Sequence, residues 1–157
     1  MEIIKYPDKT LLTPTNVVEI FDGSPWLLGK KMLGVMKAQN GAGLAANQVG
    51  YDLRLFVTSE LEDDIIVNPS WEPTISGFDY PRVEGCLSFP GWLVPVKRFD
   101  AINAQWQDIA GNKKQLILRG FAAQVFQHET DHLDSVLMID HLTKQQQRTL
   151  RRFYKEN

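Results

Sequence analysis

The stretch Gln127-His128-Glu129-Thr130-Asp131-His132 decides how the rest of the chain is read. Two imidazoles four residues apart, with a carboxylate directly after the first, make the pattern H-E-x-x-H. On a helix, positions i and i+4 stand one above the other, so His128 and His132 can share one metal ion. Glu129 lies beside that face, where its carboxylate can take a proton from water. The flanks support a helix. Gly120 is a break before it, and Phe121, Val125, His128 and His132 recur at i, i+4, i+7 and i+11. At roughly 100° per residue these four share a narrow stripe, expected to begin as core and end as imidazole. Two helical histidines are often plain surface or core residues, so neighbouring sequence has to supply the rest of a site.

The only cysteine, Cys86, sits in Glu84-Gly85-Cys86-Leu87-Ser88, ahead of a turn-prone Ser88-Phe89-Pro90-Gly91. A lone cysteine is usually an inert small hydrophobe. Beside two histidines, however, a thiolate is a competent third ligand, and three protein ligands leave the open position of a catalytic site. Further upstream runs Gly41-Ala42-Gly43-Leu44-Ala45-Ala46-Asn47-Gln48. Its small residues allow a helix-to-strand turn or the close approach of a ligand or another backbone, with Gln48 as the polar group reaching it. It is not a dinucleotide loop, because Ala46 stands where the third glycine would be.

Ser24-Pro25 predicts a helix start, with serine as N-cap and proline at the first helical position, and Asn40-Gly41 closes that helix. Leu28, Met32, Val35 and Met36 give it a core face. Residues 1 to 20 read as an extended lead-in, and 71 to 83 show no clear pattern. Leu53 to Thr58 and Ile65-Ile66-Val67 read as strands. Phe99 to Trp106 alternates, turns at Asp108-Ile109-Ala110-Gly111-Asn112, and returns over Gln115 to Leu118. Thr143 opens a further helical stretch. Strands joined by short turns between helices indicate an α+β fold, with antiparallel or mixed sheets packed around a central metal-binding helix.

With 157 residues, 43% of them hydrophobic and 23% charged, the chain fits one folded domain over 1–157, ending in the helical stretch 143–157. A formal net charge of −2 argues against a broad nucleic-acid surface and a DNA partner. One cysteine precludes an internal disulfide and fits a reducing compartment. The N-terminus lacks a secretory apolar region, and no run approaches the ~20 apolar residues of a membrane span. The expectation is a cytoplasmic monomer with no membrane partner.

Gly41 to Gln48, Glu84 to Ser88 and Gln127 to Leu133 together resemble the three signature motifs of the peptide deformylases, in the right order and at suitable separations. The resemblance spans nearly the whole chain, since Tyr6-Pro7-Asp8 and Asn68-Pro69 also fit. It implies a metal-dependent hydrolase that removes the formyl group from N-formylmethionyl ends of new polypeptides. Cys86, His128 and His132 would match the metal ligands, Glu129 the catalytic carboxylate and Gln48 an oxyanion donor, joined by the backbone N–H of Leu87. One divalent ion is implied, ferrous iron by resemblance, with zinc or nickel able to occupy the same site. Thiolate and imidazole ligands suit zinc at least as well. Ala42, Gly43 and Gly85 would leave room for an extended peptide. Phe121, Gln124 and Val125 would face the methionine side chain, although Gln124 stands where the family usually has an apolar residue. Val83 and Asp134-Ser135 are further departures, replacing a common acidic residue and a frequent Asn-Gly.

Two other readings compete. A zinc peptidase would need a third histidine or a downstream glutamate, but Ser135 and Met138 stand at the metzincin places and only Glu156 lies far enough downstream. A non-catalytic module would keep the fold and bind N-terminal peptides. His141, outside the stripe, is expected to be an ordinary surface residue. In the last stretch, Lys144, Arg148, Arg151 and Lys155 would share one helix face near Arg152, with Leu150, Phe153 and Tyr154 holding the helix down. That face is either simply solvated or a docking surface for the ribosome through its RNA.

Overall fold

The computed structural model describes residues 1–75 and 79–156, with backbone alone for 154–156. Helix α1 spans Ser24–Ala38. Its start departs from the expected serine cap. Gly23, at φ 92°, is the capping residue, Ser24 is already helical, and the Asp22 carboxylate accepts from the Ser24 N–H at 3.0 Å. Strands β1 (Gly43–Ala45), β2 (Leu55–Thr58) and β3 (Ile65–Pro73) follow, then β4 (Asp79–Cys86), β5 (Phe89–Phe99), β6 (Ala101–Gln107) and β7 (Lys113–Arg119). Helix α2 (Gly120–Leu133) carries the two histidines, and α3 spans Lys144–Glu156.

The strands form two antiparallel sheets, one ordered β1-β2-β3-β6-β7 and the other the β4-β5 hairpin. Side-chain alternation explains why β2 and the start of β3 are buried throughout. Leu55, Val57, Ile65 and Val67 face α1, where they pack with Leu28, Met32 and Met36. Phe56 and Ile66 point to the opposite side and meet Ala123, Phe126 and Leu133 of α2, with Ile102, Ala104 and Trp106 of β6. A sheet covered on both faces reads as a continuous hydrophobic run. Thus α2 is central, between the large sheet and the hairpin.

Strand β3 continues past Asn68-Pro69, which reads as a stop in the sequence. Asn68 adopts φ 50°, and the register with β6 shifts between Val67 and Ser70. The Asn68 side chain replaces the interrupted ladder, donating to Val18 O at 2.8 Å and Gln107 Oε1 at 2.7 Å while accepting from Val18 N–H at 2.9 Å. A bulge of this kind accommodates a proline within a sheet.

The β4-β5 hairpin is the largest departure from expectation. Its β4 strand is mostly exposed, so it carries little alternation, and residues 76–78 of the unclear stretch lie outside the described residues. The tight turn is Leu87-Ser88; Phe89 already pairs with Cys86. Phe99 ends β5 and does not begin β6. Beneath β5, Val94 and Val96 pack with Leu137, Met138, Ile139 and Leu150, and this cluster anchors α3. Phe153 adds an edge-on contact to Trp92, with ring centroids 5.3 Å apart. Tyr154 and Lys155 lie outside the described side chains. Thr143 caps α3 reciprocally with Gln146: the Thr143 hydroxyl accepts from Gln146 N–H, and Thr143 N–H donates to Gln146 Oε1.

Candidate active site

Gly120, at φ 59° after an extended Arg119, lets the chain turn from β7 directly into α2. The four-residue stripe does not begin as core, because Phe121 is 52% exposed at the mouth of a cleft. It passes buried Val125 and ends at His128 and His132, whose ring centroids lie 4.9 Å apart.

The third donor comes from β4. The ladder shifts between Gly85 and Cys86, and a register shift of this kind re-aims a side chain. Cys86 Sγ lies 3.2 Å from His132 Nε2, and one donor atom from each of Cys86, His128 and His132 falls within 4.8 Å of the others. Glu84 Oε2 sits 2.9 Å from His128 Nδ1, leaving the Nε2 atom of that ring to act as a ligand. One thiolate and two imidazoles at this spacing fit a divalent metal that keeps a position open toward the cleft. These three residues form a metal site.

Behind the imidazoles lies a charged network that the sequence reading did not identify. Arg98 of β5 is buried and forks onto Glu84, Nε to Oε1 at 2.7 Å and Nη2 to Oε2 at 3.0 Å. Its Nη1 donates to Asp131 Oδ2 at 2.6 Å, and His141 Nε2 approaches the same oxygen at 2.9 Å. His141 is on the surface, as expected, and touches the outer end of this network. Burial pushes the Glu84 carboxyl up, but its bonds to His128 and Arg98 reverse this and hold it at about 2. Burial also opposes charge on Arg98, yet Glu84 and Asp131 raise its guanidinium above the usual value. His128 is held well above the ordinary imidazole range: burial lowers it, and hydrogen bonding with Cys86 and Glu84 prevails. Burial drives His132 well below that range.

On the cleft side, Glu129 faces Gly43, where any Cβ would overlap its carboxylate. That approach explains the glycine at position 43 of the upstream loop. Among the described residues Glu129 Oε2 is buried without a hydrogen-bond partner, and burial pushes the carboxyl up to about 7. Gln48 is fixed at both ends: its Oε1 accepts from Ala45 N–H at 2.8 Å, and its Nε2 donates to Ser88 Oγ at 3.1 Å, 3.5 Å from Cys86 Sγ. The cleft measures about 590 Å³. It is lined by Ala42, Gly43, Gln48, Gly85, Leu87, Phe121, Gln124 and Val125, together with Cys86, His128 and Glu129. Every residue expected at the site is therefore in this wall or, for His132, buried in the metal cluster. Gln124 turns its amide to the wall, with Nε2 donating to Val83 O at 3.3 Å. Asp134 pairs with Arg54, and Ser135 takes φ 59°, so that departure reshapes the end of α2 away from the ligands.

A family model described as polypeptide deformylase matches residues 1–148. The chain belongs to the polypeptide deformylase family. It is 41% identical to a peptide deformylase of Dictyoglomus thermophilum, an alignment covering 94% of this chain and 96% of that one. It is 35% identical to the chloroplastic/mitochondrial peptide deformylase 1B of Arabidopsis thaliana, over 92% of this chain and 55% of the relative. A solved Plasmodium falciparum peptide deformylase, in complex with an inhibitor, superposes with a TM-score of 0.87 at 35% identity, covering 99% of this chain and 97% of the other. The deformylase chain described here is thus a metal-dependent hydrolase that removes the formyl group from an N-terminal methionine. Among the described residues, no helix is long and apolar enough to cross a membrane.

Proposed function

We propose that Glu129 is the general base and acid of deformylation, with Gln48 and the Leu87 N–H as oxyanion donors. The observation that carries this reading is the unpartnered Glu129 Oε2, buried at the cleft floor beside the ligand cluster. Cys86, His128 and His132 would hold the divalent ion, which supplies Lewis-acid polarisation and a lowered pKa for water when bound. Glu129 takes the proton from the attacking water as the formyl carbon is added to. Gln48 Nε2 and Leu87 N–H receive the carbonyl oxygen as it gains charge. Glu129 then returns the proton to the departing amine nitrogen. Ala42, Gly43 and Gly85 leave space for the peptide backbone, while Phe121, Val125 and Gln124 border the methionine side chain. General acid–base catalysis contributes roughly 10²–10⁴-fold. Glu129→Ala should lose turnover on that scale while keeping full metal content, read by formate release from a formyl-Met dipeptide and by metal analysis. Loss of the metal in that variant would make Glu129 a ligand and sink the assignment.

The ion is ferrous iron in this reading, supported by the family resemblance alone, since the thiolate and imidazole donors suit zinc at least as well. Metal analysis of protein purified without oxygen, and assayed at once, tests it. The enzyme acts as a cytoplasmic monomer, with neither DNA nor membrane as partner, on N-formylmethionyl chains as they leave the ribosome. Support for the last point is that α3 is anchored by buried Leu150 and leaves Lys144, Arg148 and Arg151 available on its polar side. Replacing those three with glutamine should weaken ribosome co-sedimentation at low salt and spare dipeptide hydrolysis. Undiminished co-sedimentation would leave that face as ordinary solvated surface.

A further inference from the structure

The N-terminal segment crosses directly beneath the two proposed oxyanion donors. Ile4 N–H donates to Gln48 O at 2.8 Å, Tyr6 N–H donates to Ser88 O at 3.0 Å, and the Tyr6 ring stacks on Phe89 at 4.9 Å. Between them, the Lys5 ammonium donates to Leu87 O at 2.6 Å. Leu87 and Ser88 are the two residues of the hairpin turn, so Leu87 O belongs to the central peptide of that turn. Among the described residues, Lys5 is the only donor to this carbonyl. The turn also carries the Ser88 hydroxyl that accepts from Gln48 Nε2 at 3.1 Å. Three consecutive residues therefore hold the backbone under both donors, and Ser88 links one donor to the other.

We propose that Ile4, Lys5 and Tyr6 form a clasp that keeps Gln48 and the Leu87 N–H in mutual register, with Lys5 as a positioning residue for deformylation. The proposal rests on the assignment of Gln48 and Leu87 as oxyanion donors. Lys5 is exposed, and exposed charge-assisted bonds contribute little to stability. Geometry is another matter, because a donor to a developing oxyanion acts over a narrow distance range and small displacements cost rate steeply. An ammonium suits the task. It is a compact charge with three donors, set at the wall of the same cleft, and its bond to Leu87 O fixes the orientation of the turn.

The test compares Lys5→Met, Lys5→Arg, Gln48→Ala and the Lys5→Met/Gln48→Ala pair, all metal-loaded, on a formyl-Met dipeptide. Removing one oxyanion donor costs roughly 10²–10³-fold in kcat. Lys5→Met should lose about tenfold in kcat, on the scale expected of a donor displaced and not deleted, with KM and metal content unchanged. Lys5→Arg should restore most of that rate, since it keeps a charged donor. The double variant should lose less than the product of the single losses, because one target of the clasp is already gone. If Gln48→Ala retains full kcat, the oxyanion assignment itself fails. If Gln48→Ala is impaired while Lys5→Met is not, the clasp alone is overturned. A raised KM at full kcat in Lys5→Met would place Lys5 on the substrate. A loss of metal or of thermal stability that tracks its rate would make it merely structural. Either result overturns the proposal.

Discussion

Glu84 and Glu129 are both buried beside His128, and their surroundings treat them in opposite ways. Glu84 has both oxygens occupied, by the forked Arg98 guanidinium and by His128 Nδ1, and is held at about 2. Glu129 has an oxygen without a hydrogen-bond partner among the described residues, and burial carries the carboxyl up to about 7. One carboxylate is kept permanently charged and immobile, which orients a ligand and strengthens its basicity. The other is left able to exchange a proton near neutral pH, which is what a general base and acid requires. Two environments for one residue type, on either side of His128, would in the proposed mechanism separate holding the metal from moving the proton.

Removing the support of Glu84 is the most severe way to break this contrast. Arg98 is buried between Glu84 and Asp131, so Arg98→Met would leave both carboxylates without the guanidinium that joins them. Breaking a buried pair from one side typically costs about 3–5 kcal/mol. The expected outcome is a loss on that scale in chemical denaturation, accompanied by weaker metal binding as His128 loses its fixed partner. A stability change under 1 kcal/mol would mean that the network does not hold the site.

A pair of isosteric variants sharpens the contrast by its sign. The Glu84 carboxyl lies below its unfolded value of 4.5, so its contribution is present above that pH and is lost as pH falls through about 2. The Glu129 carboxyl is raised, so the folded state binds the extra proton and stability declines as pH rises from 4.5 through about 7. With metal removed by chelation, Glu129→Gln should therefore stabilise the protein at pH 8, on the order of 3 kcal/mol, and have little effect below pH 4. Glu84→Gln should destabilise it at pH 8. Unfolding midpoints measured across pH decide the matter, and shifts of the same sign in both variants would contradict the opposed environments. Glu129→Gln would then be more stable and inactive, a trade expected where an acid is buried for catalysis.

How much of this was legible before the fold was known follows from where the residues stand in the chain. His128, Glu129 and His132 are one helical turn, so spacing alone places them together. Cys86 and Gln48 were legible through motif and chemical type. The Arg98 network draws from β5, β4, α2 and the turn after α2, and that convergence is tertiary. One local signal was available. Val94, Val96 and Arg98 share the buried parity of β5, and an arginine at a core-facing position demands anionic partners. The length of β3 was hidden for a different reason, because Asn68-Pro69 looks like a terminator until the asparagine side chain is seen replacing the ladder. The clasp at Lys5 carries no periodicity, and its bonds reach residues more than forty positions away in the chain.

The mildest test concerns the outer end of the same network. His141 shares Asp131 Oδ2 with Arg98, at 2.9 Å against 2.6 Å, and its side chain is 29% exposed where that of Arg98 is 3% exposed. Asp131 thus keeps its buried cation whether or not His141 is present, and water can replace the imidazole at the exposed side. Partly exposed pairs of this kind are worth about 0–1 kcal/mol. His141→Gln should accordingly lower stability by less than about 1 kcal/mol and leave metal affinity and kcat unchanged. Competition against a chelating dye would read the affinity. A tenfold loss of affinity would show that Asp131 transmits the position of His141 through Arg98 to Glu84 and on to His128. The ordering of the ligand would then belong to the whole chain of charges, and not to the Glu84–Arg98 fork alone.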